Sequence, residues 1–148
     1  MREIIFRGKD KLGHWLYGGF HLWKTRQPCV CNDELKPEEI KHIIIKNSFA
    51  DWNMPRTMQP YEVVPETVGQ YTGLTDKNGT KIFEGDIVQS IELELKGIIV
   101  FDEHCRFMIK DFSTGSTYLI SYNNDEIQVI GNIHDNSELL ESEVNNNV

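Results

Sequence analysis

Apolar and polar residues alternate in short runs along most of this chain, and the runs are rich in β-branched and aromatic side chains, the pattern of strands rather than helices. REIIFRG and HWLYGGFHLW flank the turn-forming GKDKLG and predict an antiparallel hairpin. KTRQPCVCNDELKPEE is polar, holds Pro28 and Pro37, and predicts a connecting loop. EEIKHIIIKN admits a short helix or a strand, and the triplet Ile43-Ile44-Ile45 favours the strand. SFADWNMPRTMQP has no period and two prolines, which predicts irregular chain and a boundary between two halves.

From Tyr61 onward the pattern sharpens. YEVV reads as a strand stopped by Pro65, and TDKNGT as a turn in which Gly79 takes positive φ. KIF, GDIVQSIELEL, GIIVFDE, RFMIKDF, TYLISYN and IQVIGNI follow as short strands spaced by roughly 8–12 residues, the mark of a sandwich or small barrel. FDEHCRF reads as a hairpin tip. Within IELELKG, alternation puts Glu92, Glu94 and Lys96 toward solvent and Ile91, Leu93 and Leu95 toward the core. Inward positions of the expected barrel, about residues 81–134, are Ile87, Ile99, Phe101, Phe107, Ile109 and Val129. NSELLESE predicts a short helical turn capped by Asn136 or Ser137, and VNNNV a frayed end. The expected organisation is an N-terminal hairpin and irregular region over 1–60, a small β domain over 61–140 and a tail over 141–148.

The glycines of PETVGQYTGLTDKNGTKIFEGDIV raise the question of a phosphate cradle. Neither GxxxxGK[ST] nor GxGxxG spacing is present, and β-rich TKIFEGDIV is a poor start for the helix a phosphate loop needs. Turn chemistry explains the stretch better: Pro65, Glu66, Gly69, Gly73, Gly79, Gly85 and Asp86 are its turn residues, with the Asp86 carboxylate expected to bond main-chain N–H groups two residues on.

Composition adds that 39% apolar and 26% charged residues suit an ordinary globular protein, long enough to bury a core without metal or disulfide. No apolar run approaches the ~18–20 residues of a membrane span, and MREIIFRGKD lacks a signal-peptide core. The expectation is a cytoplasmic protein with no membrane partner, in which Cys29, Cys31 and Cys105 are reduced thiols. Net charge is −8, unevenly spread: residues 1–26 hold six Lys/Arg against two acids, and residues 111–148 hold seven acids and no Lys or Arg. Overall acidity argues against nucleic-acid binding by the whole surface but leaves room for a basic patch at the N-terminal end, or for attraction between oppositely charged ends of two subunits.

VVPETVGQYTGLTDKNGTKIFEGDIV, together with the opening MREIIFRGKDKLGHWLYGGF and the closing VIGNIHDNSELL, resembles the signature of the YopX family, small proteins of temperate phages and prophages. The resemblance covers nearly the whole chain and is least distinctive over residues 24–60. It implies a mostly β protein with few short helices, whose second half, from about Lys81, is similar to an SH3-like β-barrel. It implies no reaction, because the family brings no established catalytic residues.

Three constellations carry candidate chemistry. Asp86 with Glu94-Leu95-Lys96 resembles the acid and Glu-x-Lys pattern of metal-dependent nucleases, although surface alternation accounts for the same residues and no supporting helix is evident. Cys29-Val30-Cys31 is spaced too closely for a usual structural zinc site; His104-Cys105 could add ligands only by accident of fold, and the five histidines show no ligand spacing. In HWLYGGFHLW, alternation gathers Trp15, Tyr17, His21 and Trp23 on one face and Leu16, Phe20 and Leu22 on the other, with Arg2, Arg7, Lys9, Lys11, Lys24 and Arg26 around them. Aromatic rings interleaved with cations suit single-stranded nucleic acid, and equally a buried strand or a subunit interface. Ser48, Ser90 and Ser121 lack a nucleophile-elbow context. The expectation is a non-catalytic phage accessory protein without cofactor or metal. It would act as a homo-oligomer through contacts with host or phage protein or with nucleic acid, its candidate contact residues being Arg7, Lys9, Lys11, Trp15, Tyr17, Trp23, Lys24 and Arg26. The alternatives are a nuclease built on Asp86, Glu94 and Lys96, and a purely structural oligomer.

Overall fold

A computed structural model describes residues 1, 3–28, 33–47, 57–120 and 125–140. Cys29, Cys31, Ser48, Ser121, most of the expected irregular segment and the tail 141–148 lie outside these residues, as does Arg2. The protein is mostly β, with antiparallel pairing in each ladder described here, and it divides into two compact units, Ile4–Gly69 and Met1–Glu3 with Gln70–Val148.

In the first unit, β1 (Phe6–Lys9) and β2 (Trp15–Lys24) form the expected hairpin, followed by β3 (Ile40–Asn47) and β4 (Met58–Glu62) in the order β4-β3-β2-β1. The hairpin turn is set by Asp10, whose Oδ1 accepts the N–H groups of Leu12 and His14. Halfway along, β2 changes partner: Trp15–Gly18 pair with β1, Gly19–Lys24 with β3. Gly18 sits where the change occurs because the β3 main chain lies close against it; a Cβ there would collide with the Ile45 carbonyl. The chain beyond β4 returns to β1. Val63 N–H donates to His42 C=O at 2.9 Å, Val64 N–H to Lys9 C=O at 2.8 Å and Lys9 N–H to Thr67 Oγ1 at 2.8 Å. The segment that leaves β4 thus bonds back to β1, and the four strands curl. The inner side of the curl holds fully buried Ile44, the Val63 side chain against Gly8, and a row of rings, Phe6–Phe20 (5.3 Å between centroids) and Phe20–His42 (5.7 Å).

The sequence places a strand over YEVV and irregular chain over MQP; instead Met58–Glu62 form β4, with Pro60 opposite Ile45. Proline is tolerated because β4 is the edge of the order β4-β3-β2-β1.

The second unit contains the hairpin β5 (Gly69–Thr75, entered from the first unit) and β6 (Lys81–Phe83), and a five-stranded sheet ordered β10-β9-β8-β7-β11. Its strands are β7 (Asp86–Ser90), β8 (Leu95–Phe101), β9 (Phe107–Asp111), β10 (Thr117–Leu119) and β11 (Gln128–Asn132). Ile82, Val88, Leu95, Ile99, Ile109, Ile120 and Ile127 form one core, with Leu74, Phe107 and Val129 packed against it. Residues 138–140 are helical, and the N–H groups of Leu139 and Leu140 donate to the carbonyls of Asn136 and Ser137.

Three expectations require correction. The sheet is open: among the described residues its end strands, β10 and β11, do not pair with each other, and a closed SH3-like barrel requires that they do. The run IELELKG is not a continuous strand: β7 stops at Ser90, residues 91–94 turn, and Ile91 and Leu93 are exposed. Ser90 Oγ accepts Leu93 N–H at 3.2 Å, Ile91 C=O accepts Glu94 N–H at 3.3 Å, and Glu94 takes φ +47°. Phe101 has the same parity as buried Ile99 but is 46% exposed, because β8 extends past the core toward the Asp102–Arg106 turn; its ring covers its cross-strand partner Phe107 instead, at 5.0 Å.

Candidate nucleic-acid interface

Strand register determines which side chains share the outer face of the first unit. Residues directly opposite in an antiparallel pair project to the same side. Trp15 faces Lys9 and Tyr17 faces Arg7 on β1; His21 faces Ile43 and Trp23 faces Lys41 on β3; Ile43 faces Glu62 and Ile45 faces Pro60 on β4. The odd-numbered positions of β2 thus carry three aromatic rings and His21 on the side away from Phe6, Phe20 and Ile44, as alternation requires. Tyr17 is 47% and Trp23 52% exposed.

Cations lie on these rings. The Arg7 guanidinium is 4.8 Å and the Lys9 ammonium 5.2 Å from the centre of Trp15, and Lys41 is 6.0 Å from that of Trp23. Such contacts are worth about 0.5–1 kcal/mol each when exposed. Their larger effect is to hold flat rings and positive charge side by side.

A groove of 340 Å³ opens beside Trp23, with Ile43, Ile45 and Pro60 as its apolar lining and His21, Lys41 and Glu62 as its polar one. Glu62 Oε2 accepts from Lys41 Nζ at 3.1 Å and its Oε1 lies 3.3 Å from Lys11 Nζ. Hydrogen bonds from Lys41 and then Lys11 hold this carboxyl below the usual carboxylate range, so it is ionised at neutral pH.

Lys9, Trp15, Tyr17 and Trp23 share this face, and the Lys11 ammonium reaches it through Glu62. Arg7 shares it too but is buried. Lys24, of even parity, projects to the other side. Arg26 is committed elsewhere: its guanidinium bridges Asp33 (2.5 and 3.0 Å) and Glu39 (2.5 and 3.2 Å), which raises its pKa further and lowers that of Glu39. Lys41, Pro60 and Glu62 escape a sequence reading because β3 and β4 bring them in from 18 and more residues beyond Trp23; only the Ile43-Ile44-Ile45 run beside Lys41 hints at it.

Most of the signature residues serve turns and strand starts, but Gly73 lies inside β5, where the register with β6 shifts, and not in a turn. Pro65 and Glu66 open a 3-10 turn, buried Gly69 begins β5, and Gly73, Gly79 and Gly85 take φ of +90°, +81° and +82°. Asp86 is buried, and its Oδ2 accepts the Phe83 N–H at 2.7 Å, three residues back rather than two residues on.

The nuclease constellation is not assembled. Lys96 lies opposite Gln89, three residues along β7 from Asp86, so the two are roughly 10 Å apart along the ladder and on opposite faces. Glu94 sits in the exposed turn before β8. Among the described residues no group of three or more His, Cys, Asp or Glu could hold a metal ion. A second, larger cleft of 490 Å³ in the other unit is lined by Leu93, Leu95, Asp111 and Tyr118 among others. Asp111 Oδ2 there already accepts from the hydroxyls of Ser113 (2.7 Å) and Thr114 (2.6 Å) and from Thr114 N–H (3.0 Å).

The model of the YopX protein family matches residues 19–141, and the chain belongs to that family. No curated protein matches the chain. Among solved structures, protein EF1440 from Enterococcus faecalis is similar, with a TM-score of 0.49 and 24% identity over 95% of this chain and 99% of that one. No helix among the described residues is long and apolar enough to cross a membrane.

Proposed function

We propose that this protein is a phage accessory protein of the host cytoplasm that binds single-stranded nucleic acid on the outer face of its first unit without transforming it. One observation carries the reading: the exposed rings of Tyr17 and Trp23 share a face with Lys9, Lys11 and Lys41. Bases stack on such rings and phosphates pair with such cations, and the combination tolerates any sequence. Duplex nucleic acid keeps its bases stacked inside and gains only the phosphate contacts.

Anisotropy of a labelled mixed-sequence single strand is the test. Binding should weaken with salt, with a log–log slope of about −2 for three cations. Tyr17→Ser with Trp23→Ser should weaken it by at least about tenfold, since each stacked base contributes ~1–3 kcal/mol. No binding by the wild type at low salt, or equal binding by the double variant, overturns the reading.

A second reading, self-association through the same face, draws on charge. Residues 4–69 hold nine Lys/Arg and eight Asp/Glu, whereas the rest of the chain holds six and fifteen. The first unit of one copy and the second unit of another are complementary in sign.

A further inference from the structure

We propose that the groove beside Trp23 receives one base of the bound strand and selects bases with an exocyclic amino group (cytosine, adenine, guanine) over thymine and uracil. The proposal rests on the nucleic-acid reading above and deepens it from sequence-tolerant stacking to a preference at one position.

The groove has the parts a base requires. Its 340 Å³ suits a single splayed nucleotide, Trp23 stands at its side, and Ile43, Ile45 and Pro60 line it with apolar surface for the rest of the base. Polar recognition comes from Lys41 and Glu62. Among the described residues, Lys9, Lys11 and Lys41 meet Glu62 on this face, so an anionic strand is drawn to it and the carboxylate needs another explanation.

Glu62 supplies the selectivity. An ionised carboxylate accepts and never donates, and it has about four lone-pair sites. Lys41 takes one at 3.1 Å on Oε2 and Lys11 one at 3.3 Å on Oε1, leaving capacity on both oxygens. An exocyclic amino group projects beyond the ring and can donate to it, as a carboxylate accepting from cytosine N4 does elsewhere. Thymine and uracil have one base-edge donor, N3–H, flanked by two carbonyl oxygens that would face the carboxylate. Lys41 can donate to a carbonyl of either pyrimidine and does not discriminate.

Short oligo-dC and oligo-dT of equal length separate this preference from stacking strength, because both are pyrimidines. In anisotropy titrations at slightly alkaline pH, where cytosine is neutral, oligo-dC should bind roughly five- to tenfold more tightly than oligo-dT. Glu62→Gln should bring the two within about twofold, because the amide donates to thymine O4 as readily as it accepts from cytosine N4. Glu62 is partly exposed and, among the described residues, pairs with the surface lysines Lys11 and Lys41, so the variant keeps the fold, checked by its thermal transition. Lys41→Ala should weaken both ligands alike. Equal binding of the two by the wild type, with Tyr17 and Trp23 still required, overturns base selection and leaves the platform standing. A preference that survives Glu62→Gln also overturns it. Binding of neither oligonucleotide removes both readings together.

Discussion

Asp76 Oδ2 accepts the main-chain N–H of Val129 at 3.0 Å, joining residues 53 positions apart. Its Oδ1 accepts from Asn78 and Thr80 at 2.8 and 2.9 Å, so one buried carboxylate shapes the β5–β6 turn and ties it to β11. Asp76→Asn retains one acceptor oxygen and turns a donating amide NH2 toward another donor. It should destabilise the second unit by about 1–3 kcal/mol in urea unfolding, the cost of unsatisfied buried donors.

The same carboxylate sets a pH dependence. Burial pushes the Asp76 carboxyl up, but N–H donors from Val129, Thr80 and Asn78 outweigh it and hold the folded value below the ordinary one of ~3.9. A group depressed on folding binds protons more readily when unfolded. Its stabilisation is complete above the unfolded value and is lost as pH falls through it toward the folded one. Asp111 carries the same sign, with burial opposed by Thr114 and Ser113. Stability should therefore hold flat from pH 7 to about 5 and fall steeply below about 4, and Asp76→Asn should fall less steeply than the wild type over that acid limb. Parallel acid limbs would show that Asp76 is not the group responsible.

Two glycines should fail differently when substituted. Gly79 has φ +81° and open space where a side chain would go, so Gly79→Val costs only backbone strain, about 1–2 kcal/mol. Gly97 lies in β8 where a Cβ would collide with the Lys110 carbonyl, and Ile109 Cγ2 would stand 2.9 Å away. Gly97→Ala must part β8 from β9 and should cost about 3 kcal/mol or more. Equal losses for the pair would contradict this division between turn and close approach.

How far the sequence leads is clearest along β2. Alternation alone separates Trp15, Tyr17, His21 and Trp23 from Leu16, Phe20 and Leu22, because a strand's side chains have no third choice of direction. What the cations do depends on pairing across the chain. Lys24 and Arg26 flank the rings in sequence, yet one points away and the other is held by Asp33 and Glu39, while Lys41 arrives from β3. The same limit explains IELELKG: alternation in four residues fits a turn as well as a strand, and only the hydrogen bonds of Ser90 and Ile91 decide. The turn in TDKNGT is legible from the sequence, but the part Asp76 plays in it and its bond to Val129 are not.

Arg26 offers a control on the interface. Its guanidinium is spent on two carboxylates, so Arg26→Ala should leave single-strand affinity unchanged within about twofold while Lys41→Ala weakens it. The variant should instead speed hydrogen exchange at the Thr25 amide, whose bond to Glu39 C=O (2.9 Å) the clamp supports. A large affinity loss in Arg26→Ala would return it to the contact surface.

The nuclease alternative has a direct assay. With Mg²⁺ or Mn²⁺ the protein should leave single- and double-stranded substrates intact, since Asp86 and Lys96 occupy opposite faces. Asp86→Ala should cost about 2 kcal/mol of stability through the orphaned Phe83 N–H. Cleavage abolished by both Asp86→Asn and Lys96→Ala, with folding retained, would reverse the assignment.

Assembly is the remaining question that the exposed face of β2 poses. Tyr17, Trp23 and Met58 are large, apolar and exposed on the outer side of the first unit. A second copy would cover them, drawn by the fifteen acids outside residues 4–69. Exposed ion pairs across such a contact add only ~0.2–1 kcal/mol each, so ring burial has to dominate its affinity. Tyr17→Ser with Trp23→Ser should then dissociate the oligomer, whereas salt should mainly slow its formation. A saturating single strand should compete for the same rings and shift light scattering toward the monomer. An oligomer indifferent to both the variant and the oligonucleotide would place the contact elsewhere. A monomer at tens of micromolar would remove self-association and leave the face to nucleic acid.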